Sequence, residues 1–191
     1  GQYGDVWIEF EPNPDTEALV FEENVFGGAV PKNFFPAVEK GLEESVQCGI
    51  LAGYPVVNLK ATLVDGSYHE VDSSEMAFKI AANLAFKAGM AAADPIILEP
   101  ISKAEIHIPE DKQGDIMGDL NKRRARIVGI DADDDGSVIH CAVPTAEMLD
   151  YATDLKSMTQ GRGWFVLSHV RYDPAPQDIA DKVIAAAQAN A

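Results

Sequence analysis

The sequence has few cysteines, no long apolar run and no excess of basic residues. Its two cysteines, Cys48 and Cys141, lie far apart, so two buried thiols in a reducing compartment are expected. No apolar run approaches the roughly 18 residues that a membrane helix requires, and no membrane partner is expected. The 31 acidic residues outnumber the 15 Lys and Arg residues and give a net charge of −16. This balance argues against broad nucleic-acid binding, for which a basic face is typical, but leaves a local contact by a few loops open.

Signatures of a nucleotide site or of a catalytic centre are also missing. The glycine-rich pieces, Gly27-Gly28 and residues 161–163, fit neither the phosphate-binding loop G-x-x-x-x-G-K-[ST] nor the dinucleotide pattern G-x-G-x-x-G. No G-x-S-x-G turn marks a serine nucleophile. We therefore expect this chain to have no catalytic residue and no cofactor of its own.

The acidic run DADDDG at residues 131–136 resembles the first half of a calcium-binding loop. The twelfth position of such a loop requires a glutamate, but Ala142 stands there, and strands rather than helices are predicted on both sides. A solvated turn between two strands is the better interpretation. Three histidines fall in predicted strands without the spacing of metal ligands and are interpreted as packing or surface residues: His107, His140 and His169. No metal site is expected.

Periodic patterns predict the elements of residues 1–94. Strands are predicted at residues 5–10, 19–26 and 56–64, and a helix between residues 36 and 49. A second helix has a continuous apolar stripe that is expected to be buried, formed by Ala77, Ile80, Ala81, Leu84, Ala85 and Ala88. Asp72 and Glu75 have the spacing of a capping box, and Ser73 and Ser74 are expected to help bind the free N–H groups of this helix.

A domain boundary is predicted at Ala93-Asp94-Pro95, because the order of elements changes there. The second half reads strand, helix, strand, strand, helix, strand, at residues 101–108, 115–124, 126–130, 138–143, 145–159 and 165–172. This βαββαβ order predicts a ferredoxin-like, antiparallel sheet with both helices on one face. Thr145 is the expected N-cap of the second helix, and a further helix is predicted at residues 179–187.

Two polar segments remain without an explanation at this stage. In the stretch DGSYHEVDSSEMAFK, residues 65–79, the helix cap accounts for the later residues but not for Ser67, Tyr68 and His69. The basic cluster at residues 122–126 contains Lys122, Arg123, Arg124 and Arg126. It fits either an exposed helix end, where cations suit the helix dipole, or a phosphate contact.

The chain resembles the C-terminal part of bacterial elongation factor G, its fourth and fifth domains. The stretches that carry the resemblance span nearly the whole chain in the family's order: GGAVPKNFFPAVEKG, LAGYPVV, DGSYHEVDSSEMAFKIAA, LEPI, GDIMGDLNKRR and YATDLKSMTQGRG. The resemblance implies an α/β domain like ribosomal protein S5 domain 2 at residues 1–94. It implies a ferredoxin-like domain with a C-terminal helix at residues 95–191.

This resemblance also implies a function and partners. The chain is expected to be a cytoplasmic, monomeric fragment of a translational GTPase that binds the ribosome and promotes translocation of tRNA and mRNA. GTP and Mg would belong to an N-terminal domain of the parent, and the fragment itself would not be an enzyme. The fourth domain would enter the decoding region of the small subunit, while the fifth would lie near the large-subunit GTPase-associated region.

Site residues carry over where this sequence matches the family's tip loops. His69 matches the tip histidine, and the implied RNA- or ribosome-contacting residues are Gly27, Gly28, Val30, Pro31, Lys32, Ser67, Tyr68, His69, Glu70 and Asp72. Aromatic and imidazole rings can stack on nucleotides, hydroxyls can reach 2′-hydroxyls or phosphates, and a lysine can meet a phosphate. Candidate ribosome contacts of the fifth domain are Arg123, Arg124 and Arg162.

Some positions depart from the family's pattern, and other functions stay open. Ala125 stands at a usual glycine, and Thr145, Leu149 and Asp150 replace the usual Leu, Phe and Gly. The parent could be a paralogue specialised for ribosome recycling, or a protein that protects the ribosome from tetracycline. A stand-alone α/β enzyme with His69 as its base, assisted by Asp72 or Glu75, is a further alternative.

Overall fold

The computed structural model describes all residues from 1 to 191, and their contacts form two compact units. The first unit contains Gly1–Pro95 together with Asp178–Ala191, and the second contains Ile96–Gln177. None of the helices combines the length and the apolar composition that crossing a membrane would need.

A three-stranded mixed sheet and two helices build the first unit. Its elements are β1 (Asp5–Pro12), β2 (Val20–Glu23), α1 (Phe35–Cys48), β3 (Leu59–Ser67) and α2 (Glu75–Ala92). A short 3-10 helix, Lys32–Phe34, precedes α1. The strand order is β1-β3-β2, in which β1 pairs with β3 antiparallel and β2 pairs with β3 parallel.

The predicted buried stripe of α2 is confirmed for Ala77 and Ala81 but wrong for Ile80 and Leu84, which are 45% and 61% exposed. Besides the two alanines, the buried face contains Phe78, Ala82, Phe86 and Met90. Phe78 stacks on Phe34 with ring centroids 4.6 Å apart, and Phe86 meets Phe10 edge to face at 6.2 Å. The helix has apolar residues on two overlapping faces, and the face with the large aromatic rings enters the core because it removes more apolar area from water.

Ser74 is the N-cap of α2. Its hydroxyl accepts a hydrogen bond from the backbone N–H of Ala77 at 3.1 Å, as expected of one of the three candidate caps. The predicted capping box is wrong, because the helix begins after Ser74 and not after Asp72. Asp72 therefore lies in the preceding loop, where its carbonyl accepts a hydrogen bond from the N–H of Tyr3 at 2.9 Å.

The second unit has the predicted βαββαβ order. Its elements are β4 (Leu98–Ile108), α3 (Gln113–Lys122), β5 (Arg126–Asp133), β6 (Gly136–Pro144), α4 (Tyr151–Met158) and β7 (Trp164–Pro174). The strand order is β5-β6-β4-β7, and every pair is antiparallel. Alternate residues of β4 and β6, such as Ile106 and Ile139, are fully buried together with Ile116 of α3 and Leu155 of α4. Both helices therefore cover the same face of this sheet.

The second predicted helix is split, and Thr145 does not cap it. A 3-10 helix at Thr145–Met148 precedes α4, and Thr145 makes no capping hydrogen bond. The Thr145 hydroxyl instead lies 2.7 Å from the hydroxyl of Ser102 on β4, so its partner comes from the sheet rather than from the helix. This long-range bond anchors the 3-10 turn to the edge of the core.

The burial of Cys48 and the position of the terminal helix both differ from what the sequence predicts. Cys141 is buried and burial raises its pKa to about 11, but Cys48, at the end of α1, is exposed. The terminal helix α5 (Gln177–Ala189) was expected to belong to the second domain, whereas residues 178–191 group with the first unit. Prolines at 174 and 176 end β7 just before this helix, so sequence order alone does not decide which unit it joins.

Tyr151 generates a prediction about stability. Its side chain is fully buried, burial raises its pKa, and its hydroxyl has no hydrogen-bond partner. A buried hydroxyl without a partner costs about 1–3 kcal/mol, so Tyr151→Phe is expected to leave the free energy of unfolding unchanged or to raise it. Urea unfolding measures the effect, with Tyr172→Phe, at an exposed position, as the control. A loss of stability in Tyr151→Phe alone would show that the hydroxyl is bonded in solution.

Candidate nucleic-acid interface

Parallel pairing of β2 with β3 brings two loops to one end of the first unit. Val20 to Glu23 pair in parallel with Lys60 to Leu63, so the segments that follow both strands leave from the same end of the sheet, where the strands have their C-terminal ends. These segments are named loop A (residues 24–31) and loop B (residues 68–74). Strand β1 runs antiparallel to β3, and Asp5 pairs with Ser67, so the first residues of the chain lie at this end too. Loops A and B, with residues 1–4, are called the loop end.

Val30 joins loop A to the end of β3 and is not available to a partner. It is only 1% exposed and belongs to the hydrophobic core, which corrects its expected role as an RNA-contacting residue. A Cβ atom on Gly66 would lie 2.6 Å from Cγ2 of Val30 and 2.2 Å from the carbonyl oxygen of Asp5. Gly66 thus permits three segments to approach closely, which a side chain would prevent.

The two glycines of loop A have the conformation that their residue type allows. Gly27 and Gly28 have φ angles of 66° and 69°, in the left-handed region, and no atom lies within 4 Å of a Cβ built on either one. Pro31 then begins the turn into α1, and the side chain of Lys32 is exposed beside it. The backbone of loop A is therefore open to a close approach by another molecule.

Ser67 is committed to contacts inside the chain. Its hydroxyl donates to Oδ2 of Asp5 at 2.8 Å and lies 2.6 Å from the hydroxyl of Tyr3. These two bonds use its donor and one of its two acceptor sites, and the predicted contact of Ser67 with RNA stays a prediction. Sequence reasoning did not anticipate the bond, since Asp5 and Tyr3 are far from Ser67 along the chain. The bond fixes the start of loop B.

His69 is held by its backbone and by one ring nitrogen. Its N–H donates to the Ser73 hydroxyl at 2.8 Å, and its Nδ1 accepts from the N–H groups of Val71 and Asp72, each at 3.3 Å. The Asp72 carboxylate lies 3.4 Å from the same nitrogen. A neutral ring that accepts at Nδ1 carries its proton on Nε2, and a protonated ring carries one there as well. Nε2 therefore donates a hydrogen bond whether the ring is neutral or protonated. The His69 side chain that carries it is 56% exposed.

Loop B presents further side chains to solvent. Tyr68 and Glu70 are exposed, whereas the Asp72 side chain is half-buried and lies 3.7 Å from the N-terminal amine. Two exposed apolar residues at the loop end were missed from the sequence: Phe26, which is 87% exposed, and Val71. The pattern placed Phe26 in a strand, although the following Gly27-Gly28 pair was a signal that the strand ends earlier. The loop end therefore offers rings, one imidazole donor and open backbone.

The charge of the loop end is not that of a phosphate-binding surface. Lys32 is the exposed cation next to loop A, while Glu23, Asp65 and Glu70 are exposed acids nearby in sequence. Neutralisation of several phosphates needs clustered Lys and Arg residues, which are missing here. Recognition at this end would therefore depend on shape, stacking and single hydrogen bonds.

In the second unit, Arg123 is part of the folded core and not a free contact. Its guanidinium donates to Asp119 at 2.9 Å, to Asp150 at 2.8 Å, to Asp154 and to the carbonyl of Glu147. It also lies 4.9 Å from the ring centre of Tyr151. Burial opposes its charge, but the hydrogen bonds to Asp150, Asp119 and Asp154 outweigh burial and raise its pKa. This corrects both interpretations of Arg123, the exposed helix end and the ribosome contact.

Arg124 is also paired within the chain, and Arg162 is the more accessible of the two. The Arg124 guanidinium makes two bonds of 2.9 Å to the Glu99 carboxylate and one of 3.2 Å to Glu147, and its predicted ribosome contact stays a prediction. Hydrogen bonding to Glu99 raises its pKa. Arg162 is half exposed, donates to the Thr159 carbonyl at 3.2 Å and lies 4.0 Å from Asp111, and its predicted contact with the ribosome stays a prediction.

The Arg123 network generates a pH-dependent prediction. Replacement by methionine leaves three carboxylates together without their cation, so Arg123→Met is expected to lower the free energy of unfolding by about 2 kcal/mol or more at pH 7. The hydrogen bond from Arg123 lowers the pKa of Asp150. The stabilisation is therefore present above the unfolded value of about 4 and is lost as the pH falls below it.

Chemical unfolding at pH 7 and at pH 3 measures this difference. The difference in the free energy of unfolding between the unaltered chain and Arg123→Met should be smaller at pH 3 than at pH 7. Arg126→Met is the matched control, because Arg126 is exposed and should change stability by less than about 0.5 kcal/mol. Equal stability of Arg123→Met and the unaltered chain at pH 7 would contradict the assignment.

Comparisons with known proteins divide the chain near residue 95, as the two units do, although the second match extends into α5. Two family models match the chain: "Elongation factor G, domain IV" over residues 1–94, and "Elongation factor G C-terminus" over residues 96–183. A crystal structure of a protein from Thermus thermophilus is similar over 99% of this chain, with a TM-score of 0.84 and 42% identity. The match covers 28% of that protein, so this chain spans little more than a quarter of its length. These findings confirm the two predicted fold classes, and the chain belongs to the elongation factor G family.

Proposed function

We propose that this chain is the ribosome-binding C-terminal portion of a translational GTPase that promotes movement of tRNA and mRNA during protein synthesis. In this proposal the loop end enters the decoding region of the small subunit. The observation that carries it is the meeting of loops A and B at one end of the first unit, with His69 exposed between ordered neighbours. The second unit would face the large-subunit GTPase-associated region.

The chemistry of the loop end suits a shaped RNA contact. Nε2 of His69 can donate to a phosphate, a 2′-hydroxyl or a base edge, and the Tyr68 ring can stack on a splayed base. Gly27 and Gly28 leave room for an RNA backbone next to loop A. The net charge of −16 opposes unspecific RNA binding, so productive contact would require the correct shape as well as proximity. We propose that the chain acts by placing the loop end against RNA and performs no bond-making step itself.

The alternative of a stand-alone enzyme with His69 as the base has little support from the geometry. The Asp72 carboxylate lies 3.4 Å from Nδ1 of His69, but the hydrogen bonds of the ring are to backbone N–H groups, and the Ser73 hydroxyl bonds the backbone N–H of His69 rather than its ring. A cavity of about 410 Å³ lies instead between α1 and α2, lined by Ser45, Cys48 and Asn83 among others, and does not include His69. A role in ribosome recycling or in protection from tetracycline would use the same loop end, and it differs from translocation in the reaction that is accelerated.

Substitution of His69 tests the proposal in the full-length factor that contains these two domains. His69→Asn keeps an acceptor near the N–H groups of Val71 and Asp72 but removes the outward donor at Nε2. Loss of that contact is expected to slow tRNA movement about tenfold, while GTP turnover changes less than about twofold. Single-turnover translocation and ribosome-stimulated GTP hydrolysis are measured side by side.

His169→Ala is the control, since it removes another exposed histidine, from β7 of the second unit. Its translocation rate should match that of the unaltered factor. Equal slowing of both reactions by His69→Asn, or no effect on either one, would reject the assignment of the loop end. Normal translocation with slowed ribosome splitting would favour the recycling alternative.

A further inference from the structure

The sheet of the second unit has one face that neither α3 nor α4 covers. Helices α3 and α4 pack on the residues of β4 and β6 that alternate with this face. This face, called the open face, carries Glu105 and His107 of β4, Asp131 of β5, His140 of β6, and Trp164 and Val166 of β7. Val138, in the middle of the face, is only 9% exposed. Trp164 is 52% exposed although it lies within a strand, and Val166 is exposed beside it. Exposed aromatic and aliphatic groups on a sheet face are typical of interaction surfaces.

One row of paired residues crosses the open face and joins an aromatic platform to a carboxylate. Trp164 pairs with His107, His107 with Val138, and Val138 with Asp131. The rings of Trp164 and His107 are stacked, with centroids 3.7 Å apart and planes 4° from parallel. His107 covers one face of the indole and leaves the other side exposed. The platform is rigid, because the imidazole is in turn held at 3.1 Å from Asp133.

Acidic side chains surround this platform. The His140 ring bonds Oδ2 of Asp131 at 2.9 Å and lies 3.8 Å from the Glu105 carboxylate. Asp131 is well exposed, and its other oxygen is available to a further donor. Hydrogen bonding from His107 lowers the pKa of Asp133, so this carboxyl stays ionised. Asp134 and Asp135 extend the negative charge along the adjoining turn. Two cations share the face: Lys103 lies 3.6 Å from the Glu105 carboxylate, and Arg126 is exposed on β5, so acidic groups still outnumber basic ones.

We propose that the open face binds an exposed arginine on a basic segment of another protein. A guanidinium plane can stack on the free side of Trp164, and a planar cation suits this stacking better than an ammonium group. The carboxylates lie on the other side of His107 or on other strands, so further basic residues of the same segment would pair with them. The exposed valine offers apolar contact for the aliphatic stem of such a side chain. This proposal is independent of the ribosomal role of the loop end.

Charge decides between this partner and two others. An RNA strand could stack on Trp164, but its phosphates would meet Glu105, Asp131 and Asp133. A second copy of the chain would bring two acidic surfaces together, and each copy has a net charge of −16. A cationic protein segment is the occupant whose charge complements this face.

Fluorescence of Trp164 provides the test. Trp7→Phe leaves Trp164 as the single tryptophan of the 191-residue chain. This chain is titrated at low salt with an acetylated, amidated Gly-Arg-Gly-Arg-Gly peptide, with the corresponding lysine peptide and with a short oligouridylate. The arginine peptide is expected to change the emission in a saturable way, with the lysine peptide several-fold weaker and the RNA without effect.

Two double variants with the same net charge distinguish an effect of the open-face carboxylates from an effect of overall charge. Glu105→Gln combined with Asp131→Asn should weaken the arginine peptide at least about tenfold. Glu43→Gln combined with Glu110→Gln removes the same charge from exposed positions elsewhere and should bind as the unaltered face does. Four results would each overturn the proposal: no saturable change, equal binding of arginine and lysine peptides, binding of the RNA, or equal binding by the two double variants. The peptide and RNA comparison needs no change to the open face, so it decides even if a variant fails to fold.

Discussion

The parallel pairing of β2 with β3 is the constraint on which the candidate interface depends. Two neighbouring strands that run in the same direction have their C-terminal ends at the same end of the sheet. Loops A and B therefore meet there, although a whole helix separates them in sequence. The close approach of Asp5, Val30 and Gly66 then locks these segments together. Exposed side chains such as His69 can be held in place there because buried neighbours fix the backbone that carries them.

The basic cluster at residues 122–126 does not form the exposed basic surface that its sequence suggests. Arg123 and Arg124 form ion pairs with carboxylates of α3, α4, β4 and the turn before α4, so they help to hold the second unit together. What remains at the surface is mostly acidic. The proposed binding therefore relies on shape and a few donors at the loop end, and on negative charge at the open face.

Sequence patterns predicted the order of elements well and side-chain environments less well. The βαββαβ order follows from local periodicity, and the family motifs located both loops of the interface. Burial of Val30, the internal bonds of Ser67 and the pairing of Arg123 depend on partners distant in sequence, which periodicity does not reveal. The same holds for α2, where two apolar faces competed and only packing against Phe10 and Phe34 selected one.

The contact between Val30 and Gly66 is the most direct test of this account, because it joins loop A to the strand that leads into loop B. Nuclear Overhauser spectra of the 191-residue chain, with isotope-labelled valine methyl groups, measure it. The account predicts a strong cross-peak between a Val30 methyl group and the α protons of Gly66, since a Cβ at Gly66 would lie only 2.6 Å from Cγ2 of Val30. Absence of this cross-peak in a folded chain, with Val30 exposed to solvent, would contradict the account.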